Sequence, residues 1–131
     1  MNNLQADIIV VGGGMVGAAT ALGLAQAGFK VTLLEKNKVD TRWDDALPWQ
    51  SRVSALTRAS ENILKSLGVW ENIEKRRLHP FESMHVWEDV SDSSIHFSAQ
   101  ELDEDNLGYV IENQVIQHAI WDGFAEEPNL N

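Results

Sequence analysis

The residues of this chain best placed to do chemistry lie near its start. Gly12-Gly13-Gly14-Met15-Val16-Gly17 sets glycines in the pattern G-x-G-x-x-G. At that spacing each glycine has its own task. Gly12 permits a tight turn, Gly14 removes the Cβ that would keep a pyrophosphate off the backbone, and Gly17 lets a helix lie close on a strand. A helix opening at Met15 and Val16 would offer unpaired N–H groups and the positive end of its dipole to phosphate oxygens. Glu35 follows 18 residues beyond Gly17. Its carboxylate can accept hydrogen bonds from both hydroxyls of an adenosine ribose, and it would repel a 2′-phosphate. The set predicts a site for an ADP moiety and leaves open whether that moiety belongs to FAD or NAD.

The remaining chemistry-bearing side chains form weaker patterns. His79, His85, His96 and His118 show no metal-like spacing, and His85 and His96 are expected to face solvent or each other. The acids Glu101, Asp103, Glu104 and Asp105 lack the spacing of a calcium loop and read as a solvated run. Five tryptophans (Trp43, Trp49, Trp70, Trp87 and Trp121) are assigned structural roles, with Trp43 and Trp49 set apart because they fall in a long loop. The chain has no cysteine. That excludes disulfide frameworks, zinc–thiolate sites and cysteine nucleophiles, and it is compatible with a reducing, cytoplasmic setting.

Elements must position these residues. The run Asp7-Ile8-Ile9-Val10-Val11 reads as a strand buried on both faces, Met15 to Ala27 as a helix closed by Gly28, and residues 31–35 as a second strand. Strand, glycine turn, helix and strand in about 30 residues make a βαβ unit. Residues 36–51 read as a long polar loop. Beyond it, residues 59–67 and 69–77 read as helices. Pro80 is expected to break the chain. Residues 83–88 and 94–98 read as a strand pair, residues 109–111 as a short strand and residues 113–125 as a final helix.

Length and charge set the limits. The 131 residues, 44% hydrophobic, suit one globular domain or part of a larger one. All ten Lys and Arg lie at or before Arg77, whereas residues 78–131 carry twelve acids. The net charge of −10 argues against nucleic-acid binding, and the acidic half reads either as a solvated surface or as one whose basic counterpart lies on another chain or on sequence not present here. The uncharged stretch from Ile8 to Phe29 is long enough to span a bilayer, but six glycines interrupt it and a soluble strand–turn–helix is expected.

Several segments together resemble the N-terminal part of the ubiquinone-biosynthesis hydroxylases, FAD-dependent aromatic-ring monooxygenases related to p-hydroxybenzoate hydroxylase. They are Gly12–Gly17, Glu35, the Arg-Val-Ser-Ala-Leu segment at 52–56, Leu67-Gly68-Val69-Trp70, and Gly108 to Asn113 with Val115-Ile116. The resemblance implies an α/β fold, a Rossmann-like βαβ FAD-binding domain with a small β-strand insertion, present here incompletely. It implies that residues 1–131 are the N-terminal part of that domain, with the substrate domain and the remaining FAD site outside this sequence. No Gly-Asp pair matching the family's second FAD motif occurs in the chain.

By that resemblance, Gly12, Gly14, Met15, Val16 and Gly17 hold the pyrophosphate and Glu35 the adenosine ribose. Arg52 stands at the flavin end, where a guanidinium can bridge several oxygens. Lys36 either approaches the adenosine or phosphates or is a solvated loop lysine. Glu112 either contacts FAD or serves as an acid at a helix N-terminus. The implied reaction transfers one oxygen atom of O2 to the ring of a polyprenylated phenol, with NAD(P)H as electron donor, the flavin supplying the chemistry and no side chain of these residues acting as acid, base or nucleophile. The stretch alone is not expected to turn over. A lipophilic substrate implies peripheral association with the inner membrane or a multi-enzyme assembly.

Overall fold

A computed structural model describes residues 5–131. Strand β1 (Ile8–Val11) is followed by helix α1 (Met15–Gln26) and strand β2 (Val31–Leu34). β1 and β2 pair in parallel with Ile8 opposite Val31, which completes the expected βαβ unit. Helix α1 ends in a Gly28 at φ +97°, the left-handed conformation that glycine supplies after a helix. Its alanines let it sit close to its neighbours. Ala21 and Ala25 face Val31 of the sheet, while Ala18 and Leu22 face the rest of the core.

The chain then builds a second layer. Strand β3 (Val53–Thr57) leads directly into helix α2 (Arg58–Ser66), followed by the short helix α3 (Trp70–Glu74) and strand β4 (His79–Phe81). A hairpin of β5 (Ser83–Trp87) and β6 (Ser94–Ser98) projects next, then β7 (Gly108–Glu112) and helix α4 (Asn113–Asp122). An antiparallel sheet runs in the order β3-β7-β4. Helix α4 packs on α1 and α3, and its Val115, Ile116, Ala119 and Ile120 join Leu64, Trp70, Ile73 and Ile111 in the main core. No helix among the described residues is long and apolar enough to cross a membrane.

Four sequence expectations need correction. β1 is not buried on both faces: Ile9 and Val11 are 62% and 80% exposed, because α1 covers one side of the two-stranded sheet and no described residue covers the other. Pro80 does not break the chain but sits in β4 opposite Tyr109, tolerated because β4 is an edge strand whose outer side needs no N–H donor. Residues 53–57, assigned no element from the sequence, form β3. The helix expected over 69–77 stops at Glu74, which frees Arg76 and Arg77 to reach across the fold. The expected hairpin is present, and its His85 and His96 face each other with ring centres 6.0 Å apart. At the far end, Asn129 and Asn131 exchange backbone hydrogen bonds with Val31 and Leu33, extending the parallel sheet beside β2.

Candidate functional site

A cleft of about 800 Å³ opens between the glycine turn and the N-terminal half of α4. One wall is Gly12, Gly14, Met15, Val16 and Gly17. The other is Asn113, Gln114, Gln117 and His118, with Gln50 and Arg52 at the rim. The turn leaves β1 through Gly12 at φ +98°, a conformation costly for residues with a side chain. Gly17 is held against that turn. A Cβ there would fall on the Gly12 carbonyl oxygen. Helix α1 begins at a Gly14 N-cap with no side-chain cap, so its first N–H groups are not satisfied by a capping side chain. A methyl built on Gly14 meets nothing within 4 Å. Bare N–H groups and a backbone open to close approach are what a bound phosphate group requires, and the residues present fit it.

Glu35 lies behind the turn. Its Oε2 accepts the Gly13 N–H at 2.6 Å and its Oε1 accepts the Asn37 N–H at 3.0 Å. These backbone donors, Asn37 first and Gly13 second, hold its carboxyl below the ordinary value of 4.5. Each carboxylate oxygen keeps a second lone pair for a further donor.

Glu35 does not itself line the cleft, and two further expected residues fall away from it. Lys36 is exposed and does not line it. Glu112 is 3% exposed and is occupied within the protein: it accepts the Gln50 N–H at 2.8 Å and forms an ion pair with Arg77. Arg77 Nε stands 2.9 Å from Glu112 Oε2 without hydrogen-bond alignment, while its NH2 donates to Oε1 at 3.2 Å.

That ion pair belongs to a clamp on the 36–51 loop. The Arg77 guanidinium lies 4.7 Å from the Trp43 ring and 4.2 Å from the Trp49 ring, and it donates to the Leu47 carbonyl at 2.8 Å. Its neighbour Arg76 donates to the Thr41 carbonyl and pairs with Asp122. The loop is thus pinned on both sides of Trp43, and the Arg52 carbonyl accepts the Asn113 N–H at 3.0 Å. Part of the acidic half finds its basic counterpart within this chain and not beyond it: Arg76 pairs with Asp122, Arg77 with Glu112, and Arg58 stands 3.7 Å from Glu104.

Sequence reasoning missed the α4 wall. Asn113, Gln114, Gln117 and His118 are polar residues on one side of an otherwise apolar helix. The signal that could have found them is that stripe of amides in the two turns after the Ile-Glu-Asn segment. His118 is 8% exposed, and burial pushes its imidazole below the ordinary 6.5, with the charge of Arg76 acting in the same direction.

Residues 7–103 match the FAD dependent oxidoreductase (DAO) family. The chain belongs to that family. Among curated relatives, 3-demethoxyubiquinol 3-hydroxylase of Escherichia coli is 42% identical over 130 residues, covering 99% of this chain and 33% of its own. Ubiquinone biosynthesis monooxygenase COQ6, mitochondrial, of Rattus norvegicus is 37% identical over 118 residues, covering 87% of this chain and 24% of its own. The chain therefore spans about a quarter to a third of the length of these relatives. Among solved structures, p-nitrophenol 4-monooxygenase PnpA of Pseudomonas putida superposes with a TM-score of 0.65 at 22% identity, over 95% of this chain and 30% of that one. At that identity the likeness establishes the fold, which is the α/β fold of an FAD-dependent oxidoreductase with part of its domain represented. The FAD cofactor follows from the family.

Proposed function

We propose that this chain is the N-terminal part of the FAD-binding domain of a monooxygenase that hydroxylates the aromatic ring of a polyprenylated phenol in ubiquinone biosynthesis. The observation that carries the reading is 42% identity to 3-demethoxyubiquinol 3-hydroxylase along almost the whole chain, on a glycine turn whose open backbone fits a pyrophosphate. In this reading Gly12, Gly14, Met15, Val16 and Gly17 hold the pyrophosphate through backbone N–H groups and the α1 dipole. Glu35 orients the adenosine ribose, and Arg52 contributes a cationic side chain at the rim of the cleft. Glu112 acts indirectly, by pairing with Arg77 and fixing Gln50, and Lys36 approaches the adenosine from solvent. The bound flavin supplies the redox chemistry, drawing electrons from NAD(P)H and an oxygen atom from O2. The chain's own part is to bind and orient the ADP end and to exclude water behind it. A lipophilic aromatic substrate fits association at the membrane surface or in a multi-enzyme assembly.

The test uses the full-length protein. It should purify with visible flavin absorbance, and with NAD(P)H and a prenylated phenol under ¹⁸O2 it should yield a product heavier by one ¹⁸O atom. Absence of bound flavin, or NAD(P)H oxidation without labelled product for any phenol offered, would refute the reading.

A further inference from the structure

The middle residue of the glycine turn is gripped from three sides. Its carbonyl accepts two hydrogen bonds from α4, from Gln117 Nε2 at 2.7 Å and from Trp121 Nε1 at 2.8 Å. Its N–H donates to Glu35 at 2.6 Å. The Trp121 ring also covers it. A Cβ at position 13 would lie 2.5 Å from Trp121 Cζ2 and 3.1 Å from the Glu35 side chain. Gly13 occupies a variable position of the G-x-G-x-x-G pattern, so the pattern itself does not demand a glycine there. In this chain the close approach of Trp121 does.

These contacts have a consequence for the next residue. A peptide unit is planar and trans, so the carbonyl of residue 13 and the N–H of residue 14 point in opposite directions. Two donors fixed on one end of that plane set the direction of the other end. The Gly14 N–H has no hydrogen-bond partner among the described residues, and Gly14 lines the cleft. If the plane were to turn, a carbonyl oxygen would replace an N–H in facing a bound anion. Gln117 lines the cleft itself, but Trp121 does not. An effect of Trp121 on binding must therefore pass through the turn.

We propose that Trp121 and Gln117 are positioning residues for the diphosphate. By holding the Gly13 carbonyl they lock the 13–14 peptide in the orientation that presents the Gly14 N–H to the ligand. The inference rests on the reading of the cleft as an ADP site and deepens it by assigning to α4 the control of one phosphate-binding amide. Sequence spacing gave no sign of it, since the partners are separated by 104 and 108 residues.

The test compares ADP with adenosine in the full-length apoprotein by calorimetric titration. Both ligands share the Glu35 end, and only ADP carries the diphosphate. Wild type should bind ADP more tightly than adenosine; equal affinities would overturn the ADP-site reading itself. Trp121→Phe with Gln117→Leu removes both donors while keeping apolar bulk. It should lower the ratio of ADP to adenosine affinity about tenfold, the effect of two hydrogen bonds of ordinary net strength. Each single variant retains one donor and should lose a smaller part of the ADP preference. If the double variant does not fold, Trp121→Phe alone decides, because that side chain does not line the cleft. An unchanged ADP-to-adenosine ratio would overturn the positioning role, and so would an equal loss for both ligands.

Discussion

Replacing Gly14 with alanine should separate the stability of the fold from the binding of its ligand. Gly14 has φ −64° and ψ 177°, an extended conformation open to any L-residue, and a methyl there meets nothing within 4 Å. The substitution removes freedom from the unfolded chain without strain in the folded one, which stabilises a protein by about 0.4–1 kcal/mol. In a domain of roughly this size that is an upward shift in melting temperature of about 2–4 °C. The same methyl stands on the wall where phosphate oxygens would approach. Losing one hydrogen bond to a charged group costs about 1.5–3 kcal/mol, or roughly 10- to 150-fold in Kd for FAD. Gly17→Ala should behave in the opposite way. Its methyl competes with the Gly12 carbonyl oxygen, backbone against backbone, and such overpacking destabilises the apoprotein by about 1–3 kcal/mol. Urea denaturation of the full-length apoproteins, repeated with FAD at 100 times the wild-type Kd, separates the two effects. Wild type should gain about 2.7 kcal/mol from the ligand, and a variant with Kd raised 100-fold only about 0.4 kcal/mol. A Gly14→Ala apoprotein less stable than wild type, or one with an undiminished FAD increment, would refute the reasoning.

Three further outcomes follow from the geometry. Arg77→Met leaves the Glu112 carboxylate buried without its cation and should destabilise by about 3–5 kcal/mol, whereas Arg77→Met with Glu112→Leu should be milder than Arg77→Met alone; denaturant midpoints that place the double variant at the sum of the singles would exclude a buried-charge origin. Because the Glu35 carboxyl is held below 4.5, its stabilising contribution is complete above that pH and disappears as pH falls through the depressed value. The stability difference between wild type and Glu35→Gln should therefore be constant from pH 7 to 5 and close below it, and a gap that persists at pH 2 would contradict the assignment. Ile9→Asp tests the proposal that residues 1–131 are part of a larger domain. Ile9 is 62% exposed here and lies outside the cleft, where a surface change stays within about 0.5 kcal/mol, so a loss of several times that in the full-length protein would mean that further chain covers the sheet.

The parts of the site that were legible in the sequence are those governed by local rules. The glycine turn, α1, its Gly28 stop and Glu35 at the end of β2 each depend on a few adjacent residues and on backbone conformations that few residue types supply. The hairpin of β5 and β6 was legible for the same reason. The clamp on the 36–51 loop was not, because Arg76 and Arg77 look like the end of a helix in sequence and act only after α3 stops at Glu74. The α4 wall was not, because its amides bind a turn about a hundred residues earlier. β4 was hidden by a local rule applied without its context: proline interrupts an inner strand, but position 80 is on an edge, and only the β3-β7-β4 order reveals that.

The error over β1 carries information of a different kind. Its run of consecutive β-branched residues has the composition of a strand with both faces covered, and the register places Ile9 and Val11 on the side away from α1. Leu34 of β2 is exposed as well, so three large apolar side chains of a two-stranded sheet meet solvent. On the covered side Ile8, Val10 and Leu33 pack with Ala21, Ala25 and Val31. The sequence of β1 is thus consistent with a sheet of two covers, of which the described residues supply one. The glycine turn and α4 face each other across one cleft and are joined by the two hydrogen bonds to the Gly13 carbonyl, with Glu35 holding the turn from behind. Local and α4 contacts thus fix the geometry of the glycine turn without any ligand, which is the preorganisation that the proposed ADP site calls for.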